Sequence, residues 1–153
     1  MSQATLQMRS FAERVLACET HGRKPAEAQT SDAFQVFDKL RPHLATLMGN
    51  GGFRALLSRA LVLANAEVSW LSAVHVKADG SLEGLEELHG QLDPAVFFEG
   101  GVALLARLLG LLVAFIGENL MVSLVREVWP KVSLNNFDLN LDSGNRMKYE
   151  IKK

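Results

Sequence analysis

A single cysteine, four prolines and an aromatic content of only 7% are the first scarcities of this sequence. With Cys18 alone, no internal disulfide can form and no thiolate cluster exists to hold a structural zinc. Sparse aromatic and β-branched residues argue against extended sheets, which those residue types favour. Charge is scarce in the net sense too: −1 at neutral pH, with a pI near 6.4 and basic residues scattered along the chain. Such a chain has no field that would draw nucleic acid or an anionic membrane, so neither is expected as a partner. No basic stretch followed by an apolar run comes after Met1-Ser2-Gln3, so a secretory signal is not expected. Together with the lone cysteine, this suggests a cytoplasmic, reducing address.

Catalytic and metal patterns are equally thin. His21, His43, His75 and His89 are far apart and form neither HxH nor HExxH. Glu86 and His89 have the Glu-x-x-His spacing of di-iron bundles, but no second such pair exists. Cys18-x-x-His21 is half a zinc site without its other half. Gly49-Asn50-Gly51-Gly52, with Arg54 beside it, could offer backbone N–H groups to an anion at a helix start, but the Lys-Ser/Thr of a P-loop is missing. No cofactor is expected, and a non-enzyme is the favoured reading.

What the chain has is leucine and alanine at helical spacing. At 153 residues, with 48% hydrophobic residues, it is long enough for one domain with a real core. We expect an all-α compact bundle, with residues 1–130 as a single helical domain and 131–153 as a polar, poorly ordered tail. Met8, Phe11, Ala12 and Val15 recur at i, i+3, i+4, i+7 and predict a first helix over 3–18. His21 to Thr30 reads as a loop, and Ser31 or Asp32 as the N-cap of a helix reaching residue 48, with Pro42 kinking or splitting it. Gly49 to Gly52 predicts a stop. Residues 53–76 then predict the first long core helix, Asp79-Gly80 a turn, and Leu82 to Leu92 a short helix. Asp93-Pro94 has the order of a cap and an N1 proline, opening a second long helix that runs toward Trp129. Within it, a break is expected at Gly100-Gly101 and close packing at Gly110 and Gly117.

Residues 40–61 align on 88–109, an offset of roughly 48 positions of the kind that marks helical repeats. Ala55-Leu56-Leu57-Ser58-Arg59-Ala60-Leu61 meets Ala103-Leu104-Leu105-Ala106-Arg107-Leu108-Leu109, and Gly52 meets Gly100. The pattern suggests a duplicated unit of helix, glycine turn and long helix, each with one arginine in an apolar run. A guanidinium there must reach water or find a carboxylate. If the two long helices lie antiparallel, the expected partners are crossed: Arg59 with Glu118 and Arg107 with Glu67. The run from Val102 to Ile116 falls short of the about 20 apolar residues of a membrane span and carries Arg107, so a core helix is the expected reading.

In the tail, Phe137, Leu139 and Leu141 alternate with Asp138, Asn140 and Asp142, the period of an extended strand. The segment could dock on a partner or fold back over the domain's own apolar surface. The terminal stretch from Arg146 to Lys153 is basic and is expected to stay in solvent. Leu111-Leu112-Val113-Ala114-Phe115-Ile116-Gly117-Glu118-Asn119-Leu120, followed by Arg126-Glu127-Val128-Trp129-Pro130, resembles the C-terminal end of uncharacterised short bacterial all-α proteins. The resemblance covers about twenty residues; it implies a bacterial origin and a helical core, and no activity. A mean hydropathy of +0.11 leaves apolar material to spare for an interface. The functional expectation is a protein-interaction module, either an adaptor or regulator of a larger effector or a homo-oligomer. The alternative is a bundle that binds a small anionic ligand, or an enzyme, in a pocket between the two long helices.

Overall fold

The computed structural model describes residues 3–19 and 34–130. The expected loop, the Ser31 or Asp32 cap, the alternating tail and the basic terminus therefore lie outside the described residues. The chain is predominantly all-α, and its described residues form five helices: α1 (Gln3–Glu19), α2 (Gln35–Asn65), α3 (Leu85–Gln91), α4 (Pro94–Ile116) and α5 (Glu118–Val128). A 3₁₀ turn (Ser69–Ala73) and a minimal antiparallel hairpin of β1 (His75–Val76) and β2 (Leu82–Glu83) connect α2 to α3.

α4 organises the rest. It packs against all four other helices, and its residues from Gly100 to Ala106 are buried without interruption. A helix that is apolar all round needs cover on every side, and here α1 and α2 supply most of it. Leu104, Leu105, Leu108, Leu109 and Leu112 are fully enclosed, each such side chain stabilising the fold by about 1.5–3 kcal/mol. Facing them are Phe11, Val15 and Leu16 of α1 and Leu57, Ala60 and Ala64 of α2, with Met121 and Val125 of α5 in the same core. α4 opens as expected: Asp93 caps it by accepting the Ala95 N–H at 3.3 Å, with Pro94 next.

Several boundaries differ from expectation, each for a tertiary reason. Gly100-Gly101 does not break α4. The Trp70 indole lies against Gly100 where a methyl group would overlap it, and stacks on Phe97 with centroids 5.9 Å apart and planes 8° from parallel. The glycine is there for close approach, which offsets its helix cost of about 1 kcal/mol. The break falls at Gly117, where φ +92° turns the chain into α5. The expected stop at Gly49 to Gly52 does fall there: Gly49 leaves helical geometry (φ 81°, ψ 160°), and two helical runs meet across a kink within α2. Pro42 sits inside α2 without splitting it. The expected helix over 53–76 ends at Asn65, with the 3₁₀ turn and β1 taking the remainder. α2 starts at Gln35, its N-cap position held by Phe34 with no side-chain cap.

These breaks do not repeat. The first segment kinks at Gly49 and the second opens at Asp93, while the matched Gly52 and Gly100 both lie inside helices.

Candidate functional site

Arg107 is the one charged side chain in the most apolar stretch of α4, and the way it is satisfied locates the candidate site. It lies one turn below Ala103 on the side of α4 that meets α1 and the end of α2. There its Nε and Nη2 both donate to Glu67 Oε2 at 2.5 Å. Glu67 stands just past the end of α2 and shares its other oxygen with Arg9 of α1, 3.8 Å away. Arg9 also donates to Glu99 of α4. Glu99, Arg9, Glu67 and Arg107 thus form a neutral chain of charges that ties α1, α2 and α4 together. Side-chain exposures of 32% for Arg107 and 23% for Glu67 keep both partly in contact with water, so the cost of desolvating the charges stays small.

The expected crossed partner pair is absent. Arg59 is exposed and makes no ion pair with Glu118 among the described residues. The reason is helical phase: Phe53, Leu57, Ala60, Leu61 and Ala64 form the buried stripe of α2, and Arg59 projects roughly opposite to it. Glu118 sits beyond the Gly117 break, at the first position of α5.

Beside the charge chain runs an open apolar groove of about 230 Å³. Its floor and walls are Met8 of α1, Leu63 of α2 and Ala106, Gly110, Leu111 and Val113 of α4, with Arg9, Glu67 and Arg107 along one rim. At Gly110 a methyl group would meet nothing within 4 Å, so the space beside that residue is open. Past it, α4 loses its cover. Ala114 is exposed, Phe115 is 66% exposed, and Leu120 of α5 is 46% exposed. The C-terminal half of α4 therefore presents the groove and, one turn beyond Leu111, the exposed ring of Phe115.

No protein-family model, curated protein or solved structure matches this chain.

Other candidate chemistry is not assembled. Among the described residues no three of His, Cys, Asp and Glu come together in a way that could hold a metal. Cys18 is half-buried against the core, while His21 lies outside the described residues. A larger hollow of about 480 Å³ lies between the start of α2 and the hairpin, rimmed by Asp38, Glu83, Glu86 and Glu87 with Lys77 as the counter-charge. Among the described residues, its lining includes no histidine or cysteine. α4 is long and apolar enough, by length and composition, to cross a membrane, and 61% of its most apolar window is buried among the other helices. Glu67 and Arg107 were legible as partners in the sequence. Arg9 and Glu99 were missed, because nothing in their spacing shows that α1 lies across α4.

Proposed function

We propose that this chain is a non-enzymatic protein-interaction module that works through the C-terminal half of α4, as an adaptor or regulator of a larger protein or by self-association. The observation that carries the reading is Phe115, a large aromatic ring left 66% exposed on the helix whose other half is the most deeply buried part of the molecule. Isolated exposed apolar residues are ordinary, but here the ring lies one turn along α4 from Leu111, which lines the apolar groove, and apolar surface gathered on one part of a helix marks a contact surface. Aromatic anchors beside pockets carry most of the binding energy in protein interfaces. In the groove along α4, a small anionic ligand would compete with Glu67 for Arg9 and Arg107. A cytoplasmic setting belongs to the same proposal, in keeping with the single cysteine.

Sedimentation across a concentration series tests it, with Phe115→Glu run alongside. The expected result for self-association is a mass rising above the 16.8 kDa of one chain, and its return to one chain in the variant. A single-chain mass at every concentration, together with a Phe115 ring that oxidises no faster than the buried Phe53, overturns the reading.

A further inference from the structure

The C-terminal half of α4 carries a row of large residues beside a row of small ones. We propose that a second copy of this chain covers it, the two α4 helices lying antiparallel about a twofold axis at the level of Leu112 and Val113, with Phe115 of each copy seated over Gly110 of the other. This deepens the interaction reading and rests on it, since it names the partner and the register.

Residues four apart form ridges along a helix, and helices pack by setting the ridges of one into the grooves of the other. Arg107, Leu111 and Phe115 make one such row on α4, all of them large and none of them buried. The next row, Ala106, Gly110 and Ala114, is small at every position, and its first two members line the groove. A methyl group added at Gly110 would meet nothing within 4 Å, so there is room above the middle of the small row. At about 230 Å³ the groove is below the ~300–1,000 Å³ usual for small-molecule pockets and suits a large side chain such as the Phe115 ring. A large row beside a small one is complementary to itself after a half turn, which is what a contact between two identical surfaces requires.

Register agrees. Seating Phe115 opposite Gly110 also places Leu111 opposite Ala114, so a large side chain meets a small one at both levels. A parallel pair would instead set Phe115 on Phe115 and Arg107 on Arg107, ring against ring and like charge against like. Charge agrees as well. Arg107 and Glu118 lie equally far along the chain from the proposed axis, on opposite sides of it, so antiparallel pairing brings Arg107 of each copy to the level of Glu118 of the other. Glu118 makes no ion pair among the described residues, and Arg107 gives Nε and Nη2 to Glu67, which leaves Nη1 for a second carboxylate.

Sedimentation of the full chain with two complementary variants tests this. Phe115→Ala removes the ring and keeps the seat, whereas Gly110→Leu keeps the ring and fills the seat from the side where space is open. Each variant alone should self-associate at least about tenfold more weakly than the parent. An equimolar mixture of the two should associate more strongly than either alone, because the ring of one chain meets the open seat of the other. Leu111→Ala with Ala114→Leu repeats the test at the second level, with far-UV spectra to show that each variant is folded, and serves in place of the first pair if Gly110→Leu does not fold. A parent that dimerises with no gain on mixing folded variants overturns the proposal and leaves self-association through another register. A parent that keeps the mass of one chain up to about 1 mM also overturns it. The interaction reading then stands for a different partner if Phe115 is still oxidised faster than Phe53, and falls with the proposal if it is not.

Discussion

Two heptapeptides in this chain are close to identical, and they live in different surroundings. In Ala55 to Leu61, on α2, only Leu57, Ala60 and Leu61 are buried, and Arg59 is exposed; in Ala103 to Leu109, on α4, every residue but Arg107 is buried. Composition and period do not separate the two segments. Neighbours do: among the helices α2 packs chiefly on α4 and only slightly on α1 and α5, whereas α4 is flanked by all four of the others. An apolar helix acquires its role from how many others surround it, and its arginine follows suit, reaching water in one case and a carboxylate in the other.

The largest test of this difference is at the matched leucines. Leu104→Ala removes a fully buried side chain and should cost about 2–5 kcal/mol, while Leu56→Ala, at the equivalent half-buried position, should cost about 1 kcal/mol. Urea midpoints with unchanged slopes measure both. Equal losses would mean that α2 and α4 are equally enclosed, and the contrast would fall. The matched glycines come next. Gly100→Ala drives a methyl group into Trp70 and should destabilise by about 1–3 kcal/mol. Gly52→Ala approaches only Met48 of its own helix, at 3.2 Å, and gains helix propensity of about 1 kcal/mol, so a change near zero is expected. The Trp70 fluorescence of the Gly100 variant should shift, and that of the Gly52 variant should not.

The arginines give a smaller effect. Arg107→Met should cost about 1 kcal/mol, between an exposed pair and a buried one, and less in high salt; Arg59→Met should stay within about 0.5 kcal/mol. A double-mutant cycle of Arg107 and Glu67, with Arg59 and Glu118 as the comparison, should find coupling in the first pair alone.

The same contrast shows how far residues alone could be read. The Asp93-Pro94 cap, the Asp79-Gly80 turn, the α1 stripe and the Arg107–Glu67 pair follow from local chemistry or from one charge needing another. The location of the α4 break does not. Gly100, Gly101 and Gly117 carry the same local cost, and Gly100 is helical only because Trp70, thirty residues away in sequence, needs the space its missing side chain leaves. The end of α2 at Asn65 has no glycine or proline to announce it, and a hairpin with two-residue strands is too short to show alternation. The groove was invisible for a related reason, being made where three helices meet and one of them runs out of cover.

The two segments also end differently, and that yields the smallest expected effect. After α4 the chain turns at Gly117; after α2 it turns through the hairpin, where Asp79 Oδ1 accepts both the Ser81 hydroxyl at 2.6 Å and the Ser81 N–H at 2.9 Å. The hydroxyl first, and the N–H second, hold the Asp79 carboxyl below its ordinary value of 3.8. A depressed pKa in the folded state means that the unfolded chain binds a proton more readily. The contribution of Asp79 to stability is therefore complete above pH 3.8 and is lost as pH falls through the lowered folded value. Asp79→Asn should leave stability at pH 7 lower by a small amount and remove that part of the acid dependence, with α4 and its charge chain untouched. Because the carboxylate is exposed, the effect should be close to the limit of detection in unfolding curves, and an NMR titration of the Asp79 side chain is the sharper measurement. A midpoint at or above 3.8 would mean that the Ser81 side chain and N–H do not hold the Asp79 carboxylate, leaving the turn to its backbone bonds from Lys77 N–H to Ser81 and from Gly80 N–H to Lys77.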